Sequence, residues 1–117
     1  MCIRDRYNKM STYYHLYETS NHVPIWVGKN ARANDYMTFN LAHSKDLWFH
    51  VSETSGPHVI LHSEGNLVTN EDIKQASEFA MRHINIKDRK NHKVMYTEVI
   101  NIEKNKYDKY GRVNIVK

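Results

Sequence analysis

The sequence is most informative in three polar segments, Gly28-Lys29-Asn30-Ala31-Arg32-Ala33-Asn34-Asp35, Asp46-Leu47-Trp48-Phe49-His50 and Gly56-Pro57-His58-Val59. They bring amides, basic groups, an indole and two imidazoles into a short stretch of the chain. Core positions rarely hold such groups at this density, because burying them without partners costs free energy. The same groups can contact phosphates and stack on bases, so the segments indicate a surface that binds a nucleic acid.

Strand signals lie on both sides of these segments. Short runs rich in aromatic and β-branched residues, bounded by turn residues, predict strands. Thr19-Ser20-Asn21 predicts the turn of an opening hairpin. Six runs fit the strand pattern: Tyr13–Tyr17, Pro24–Val27, Leu47–Val51, His58–Leu61, Met95–Ile102 and Val113–Val116.

Two helices are predicted between these strands. Asn34 or Asp35 can cap a short helix that runs to about Ala42, since either side chain can accept hydrogen bonds from the first backbone amides. Met37 and Leu41 are four residues apart and would share its buried face.

The second helix is predicted to begin at Thr69, with Asp72 three residues later as a weak form of the capping box. Apolar residues then recur at helical spacing at Ile73, Ala76, Phe79, Ala80 and Ile84. Together the elements predict an α+β domain with a single, mostly antiparallel sheet of about six strands and two flanking helices.

Strand alternation assigns the side chains of the third predicted strand to two faces. Leu47, Phe49 and Val51 point one way, and Trp48 and His50 point the other way. If the fourth strand is its neighbour, its apolar side chains join the first face. The second face then collects four side chains, Trp48, His50, His58 and His62.

Candidate contacts to RNA follow from this arrangement. Lys29 and Arg32 come just after the second strand, where a basic side chain is not needed for packing. Both are therefore expected to contact phosphates. Asn30 and Asn34 offer amide donors and acceptors to base edges or ribose hydroxyls, and Asp35 adjoins them. A stacking platform for bases is expected from Trp48, His50 and His58.

Most of these candidates also have a structural alternative. Trp48 can belong to a two-sided core, and Asn34 and Asp35 can serve only as helix caps. His58 can be a buried, hydrogen-bonded histidine. Asp46 is better suited to a turn or a helix cap than to acid catalysis.

A second basic region follows the second predicted helix, from Arg82 to Lys93, and a third lies in the C-terminal tail. Arg89 and Lys90 are the candidate RNA contacts in the second region. A charge run of this kind can also be a solvated loop. If the run instead contacts phosphates, the affinity for RNA should fall as salt is added.

Composition fits one small domain with a formal net charge of +4. No apolar run approaches the roughly 20 residues that a membrane span requires. The single cysteine gives no disulfide framework and no secretory signal pattern is present, so a cytoplasmic location is expected.

The segments quoted above resemble the NFACT-R family, the RNA-binding module of proteins that extend stalled nascent chains on the large ribosomal subunit. The resemblance runs from about Ile25 to about Asn101 and includes Tyr96-Thr97. Two positions depart from the family pattern: Pro57 stands in place of Ser, and His62 in place of a frequent Arg. Pro57 lacks a hydroxyl and an amide donor, so it cannot donate a hydrogen bond to a phosphate at that turn.

The resemblance implies a non-enzymatic RNA-binding module without a cofactor. Its expected partners are tRNA or ribosomal RNA, together with the large ribosomal subunit, in quality control of stalled nascent chains. The other domains that tail extension requires are not recognisable in this sequence, so the chain alone is not expected to extend tails.

The ends of the chain are interpreted separately. Residues 1–6 match the translation of a transposase end sequence used in library preparation, and such scars are set aside. The single NFACT-R-like domain is then expected over residues 10–117.

Two alternatives come from other functional classes. His50, His58 and His62 could supply three ligands to a catalytic zinc ion, which would make the protein a metal-dependent hydrolase. Alternatively, the aromatic cluster Tyr13, Tyr14, Tyr17 and Trp26 could dock on a ribosomal protein.

Overall fold

A computed structural model describes residues 12–51, 56–82, 93–104 and 113–115. Its principal sheet has five antiparallel strands in the order β1-β2-β4-β3-β5. These strands are β1 (Tyr14–Glu18), β2 (Pro24–Gly28), β3 (Leu47–Val51), β4 (Val59–Leu61) and β5 (Val94–Glu98). The predicted α+β class, with a mostly antiparallel sheet, is confirmed.

The last predicted strands are arranged differently from the expectation. The run Met95–Ile102 is interrupted by a 3₁₀ turn, Val99–Asn101, and β6 (Ile102–Lys104) follows it. The strand is interrupted here because the amide of Val99 donates to the carbonyl of Asp46, outside β3, at 2.8 Å. β6 then pairs with β7 (Val113–Ile115) in a separate two-stranded sheet.

The predicted opening hairpin is present, and its turn is built around Thr19. The hydroxyl of Thr19 accepts hydrogen bonds from the amides of Asn21 (3.1 Å) and Val23 (3.2 Å). The Asn21 side chain donates to Asp72 at 3.1 Å and so ties the turn to the second helix.

The first helix begins earlier than the sequence suggested. α1 (Ala31–Tyr36) is capped by Asn30, whose side-chain oxygen accepts the amide of Ala33 at 2.8 Å. The expectation that Asn34 or Asp35 caps this helix is therefore wrong, because both lie inside it. A π-helical segment, Met37–Leu41, continues the helix and ends at Ala42.

The second helix, α2 (Asn70–Arg82), begins as predicted. The amide of Asp72 donates to the hydroxyl of Thr69 at 3.1 Å, and the amide of Thr69 donates to the carboxylate of Asp72 at 2.9 Å. This reciprocal pair is a capping box. Burial raises the pKa of Asp72, but the hydrogen bonds from Thr69, Thr19 and Asn21 outweigh it and leave that pKa below its ordinary value.

The two faces of the sheet carry two cores. On one face the apolar side chains of β2, β3 and β4 pack against Ala76 and Ala80 of α2. On the other face Trp48, Ile60 and Trp26 pack with Met37 of the π segment. Strand alternation therefore assigned the side chains to the correct faces of the sheet. The second face, however, is covered by the π segment and is not open to solvent.

Candidate nucleic-acid interface

The first and third of the quoted segments meet at one end of the sheet. The end of β2, the start of α1 and the approach to β4 border a pocket of about 240 Å³, lined by His15, Gly28, Lys29, Asn30, Ala31, Asn34, Gly56 and Pro57. Small-molecule sites usually enclose about 300–1,000 Å³. The pocket therefore suits part of a larger ligand, such as one segment of a nucleic-acid chain.

Asn34 holds the walls of this pocket together. Its side-chain oxygen accepts the backbone amide of His58 at 3.1 Å, and the carbonyl of His58 accepts the amide of Gly28 at 3.0 Å. A Cβ atom on Gly28 would lie 1.8 Å from that same Asn34 oxygen. Glycine is required at position 28 because the Asn34 side chain occupies the space that any larger residue would need.

The polar residues of the first segment divide into two groups. Lys29, Asn30 and Arg32 are exposed, whereas Asn34 and Asp35 are buried. The exposed group has two permanent positive charges next to the pocket. Within the buried group, Asn34 holds the backbone of His58 in position, which is a structural role other than the helix cap that the sequence suggested.

Trp48, His50 and His58 are brought together as predicted. The ring of His58 meets both other rings edge-on, with centroids 5.2 Å apart in each case. Trp48 is fully buried, however, and His58 is only 1% exposed. In this conformation Trp48 belongs to the second core and presents no ring face to a base, as its structural alternative proposed.

Each of the two histidines has a partner that fixes its ring. Nδ1 of His58 lies 3.1 Å from the hydroxyl of Thr38 in the π segment. Nδ1 of the half-buried His50 lies 3.2 Å from the carbonyl oxygen of Pro57, which can only accept a hydrogen bond. The His50 contact links β3 to the turn before β4, and the His58 contact links that turn to the π segment.

His62 lies elsewhere on the same face, in an ion pair that the sequence did not indicate. Its Nδ1 is 2.6 Å from the fully buried carboxylate of Asp46, and its Nε2 is 3.3 Å from Glu64. Burial lowers the pKa of His62, but the hydrogen bond and charge of Asp46, with a further contribution from Glu64, raise it above its ordinary value. The ring also stacks on Trp26 at 4.3 Å.

Asp46 fits the turn role expected for it. Its carboxylate accepts the amides of His43 (2.9 Å) and Glu64 (2.8 Å), in addition to its contact with His62. A carboxylate buried with these partners joins the turn before β3 to the loop after β4. The partners His62 and Glu64 were missed, since 16 and 18 residues separate them from Asp46 in sequence.

The basic candidates Arg89 and Lys90 lie outside the described residues. The neighbouring Arg82 is described, and its guanidinium carbon lies 4.4 Å from the centre of the Phe79 ring in a cation–π contact. Much of the C-terminal basic region and residues 1–6 also fall outside the described ranges.

The metal-site alternative has no support in the described ranges. Within residues 12–51, 56–82, 93–104 and 113–115, no group of three His, Cys, Asp or Glu side chains could hold a metal ion. His58 and His62 each direct Nδ1 at a different protein partner, Thr38 and Asp46.

The aromatic cluster proposed for protein docking is divided between the two faces. Tyr14 stacks on Trp26 in the buried second core, with ring centroids 4.6 Å apart. Tyr17 packs on Phe79 against the first core. Of the four residues, Tyr13 is left at the surface of the second face, half-buried.

Comparison with known proteins gives concordant matches. The family profile described as NFACT protein RNA binding domain matches residues 10–117. The Rqc2 homolog RqcH of Bacillus subtilis is 32% identical over 88 residues, which are 75% of this chain and 15% of that protein. The corresponding protein of Streptococcus suis is 33% identical over 89 residues, 71% of this chain and 16% of that protein.

A solved structure shows the same fold. The C-terminal part of the fibronectin/fibrinogen-binding protein from Streptococcus suis superposes with a TM-score of 0.79 and 28% sequence identity. The match covers 89% of this chain and 42% of that one.

The five-stranded antiparallel sheet with a core on each face thus belongs to the class of domain that the family profile describes as RNA-binding. The chain belongs to the NFACT-R family. It spans about one sixth of the length of the curated relatives that it matches. In the part of the chain that the structure describes, no helix has the length and apolar character needed to cross a membrane.

Proposed function

We propose that the protein is a non-enzymatic module that binds tRNA or ribosomal RNA in the quality control of stalled nascent chains. The observation that carries the proposal is that Lys29 and Asn30 line one pocket of an NFACT-R domain, with the exposed Arg32 close by in α1. Two fixed positive charges beside an exposed amide suit a phosphate backbone and its ribose hydroxyls.

The buried candidates have a supporting role in this proposal. Asn34 and His58 hold the Gly28 turn, and so they set the direction in which Lys29 leaves the sheet. Asp35 is buried inside α1, and Trp48 packs in the second core. His50 is half-buried and contacts Pro57, which lines the pocket.

The remaining parts of the proposal concern the wider assembly. Arg89 and Lys90 would add phosphate contacts beyond those at the pocket. The partner would be the large ribosomal subunit in the cytoplasm, since the Rqc2 homologs resemble this chain over most of its length. No bound cofactor is needed for such binding.

The experiment is a titration of end-labelled tRNA with the purified protein and with the double variant Lys29→Gln/Arg32→Gln. We expect the double variant to bind at least about tenfold more weakly, equivalent to about 1.4 kcal/mol. Lys45→Gln/Lys74→Gln is the matched control, because it removes two exposed positive charges that lie outside the segment Gly28–Asp35.

Equal losses in the two double variants would show that net charge, and not the pocket, determines binding. Cosedimentation of the same proteins with isolated large ribosomal subunits tests the proposed partner. The ribosomal part of the proposal fails if the wild type remains in the supernatant at low salt.

A further inference from the structure

Two tyrosines that lie far apart in sequence stack on each other at the surface. Tyr13 precedes β1 and Tyr36 is the last residue of α1, and their ring centroids are 4.3 Å apart with an interplanar angle of 25°. Tyr36 is 39% exposed. No local pattern predicts this pair, because 23 positions separate its members.

The pair differs from a buried aromatic stack in the same fold. Tyr14 and Trp26 also stack, but both are buried in the second core. Tyr36 keeps a large exposed area while Tyr13 supports its ring from one side. An aromatic ring that is supported and still exposed loses little conformational entropy when another flat group stacks on it.

Lys29 of the pocket and Arg32 of α1 both adjoin this pair. The amide of Lys29 donates to the carbonyl of Tyr13 at 3.1 Å, so the backbones of these residues touch. Arg32 and Tyr36 are four residues apart in α1, and therefore leave the same face of the helix. Both cations are exposed.

We propose that Tyr36, supported by Tyr13, is a stacking platform for an unpaired RNA base whose flanking phosphates contact Lys29 and Arg32. This inference rests on the proposed RNA binding and specifies the part of RNA that is recognised. Aromatic rings interleaved with cations are the usual composition of surfaces that bind single-stranded nucleic acid. A base inside a duplex is already stacked on both sides, whereas a base in a loop or at an end is accessible.

The test compares two RNAs with equal numbers of phosphates, one a hairpin with a single-stranded loop and the other a blunt duplex. Tyr36→Ala is expected to weaken binding to the loop RNA by about 5- to 150-fold, the range that corresponds to one stacked base. Binding to the duplex should change by less than about twofold. Tyr36→Phe keeps the ring and should retain the affinity for the loop RNA.

The outcomes separate this inference from the proposed function. Unchanged loop binding by Tyr36→Ala, or equal losses on both RNAs, would overturn the stacking platform. The proposed function would survive that result if Lys29→Gln still weakened both complexes. Failure of the wild type to bind either RNA would overturn both. Melting curves of each variant check that the fold is intact.

Discussion

The side-chain oxygen of Asn34 accepts the backbone amide of His58 at a distance of 3.1 Å. This bond joins the polar segment that contains α1 to the turn before β4, 24 residues later. Gly28 lies against the same oxygen, so residues of the first and third quoted segments meet in one contact. The geometry of the pocket depends on it.

Gly28→Ala should destabilise the domain by about 1–3 kcal/mol, because the added methyl group must displace Asn34. For a domain of this size each kcal/mol lowers the melting temperature by about 4–8 °C. Asn34→Ala removes the obstructing atom but also loses the bond to His58.

The double variant Gly28→Ala/Asn34→Ala tests the cause. It should be less destabilised than the sum of the two single variants, since the two residues are in contact. Urea denaturation measures all three variants. Strict additivity would mean that the Gly28–Asn34 contact is not the source of the effect.

Trp48→Ala should lower the free energy of unfolding. The molecules that remain folded should bind RNA with unchanged affinity. Removing a fully buried indole leaves a cavity, with an expected cost of about 3–5 kcal/mol. Trp48→Phe keeps a ring in the site and should cost less. A Trp48→Ala protein with an unchanged denaturation midpoint and lost RNA binding would contradict the core assignment.

The pair Asp46–His62 should make stability depend on pH. Since the folded-state pKa of His62 is raised, its contribution is complete below the unfolded pKa of about 6.5 and is lost as pH rises through the folded pKa. The stability difference between wild type and His62→Gln should therefore shrink from about pH 6 to about pH 8.

Urea denaturation of the two proteins at each pH gives this difference directly. His22→Gln is the control, because His22 is exposed and pairs with the exposed Glu18 across the hairpin turn. A wild-type advantage that stays constant or grows with rising pH would exclude the proposed linkage.

The capping box should have the opposite pH dependence. Asp72→Ala should cost about 0.5–2 kcal/mol at neutral pH, as expected for loss of a helix cap. Because the pKa of Asp72 is lowered in the fold, this stabilisation is complete above the unfolded value of about 3.9 and disappears as pH falls through the folded pKa.

Thermal unfolding of Asp72→Ala and of Glu78→Ala provides the comparison, since Glu78 is an exposed acid in the same helix. Equal effects of the two substitutions would indicate a general charge effect and not a cap.

Local patterns predicted much of this fold. The limits of β3 and the alternation of Trp48 and Phe49 follow from a period of two, which any strand must obey. The capping box at Thr69 and Asp72 was also visible, because its partners are three residues apart.

The features that the sequence did not reveal are long-range. Whether the Trp48 face is open or covered depends on where the π segment lies, and local periodicity carries no information about that. The contacts His62–Asp46 and Tyr13–Tyr36 likewise join residues that only the folded sheet brings together. The start of α1 was misplaced because Asn30 and Asn34 are equally good caps by residue type.

The most direct test of RNA binding at the pocket is the salt dependence of affinity. Titrations of labelled tRNA between about 50 and about 200 mM salt should give a straight line of log affinity against log salt with a negative slope. Lys29→Gln and Arg32→Gln should each reduce the magnitude of that slope by about one, as loss of one phosphate contact requires, while Lys74→Gln leaves it unchanged. Binding that is absent at low salt, or a slope that Lys29→Gln and Arg32→Gln leave unchanged, would contradict an RNA-binding pocket at this end of the sheet.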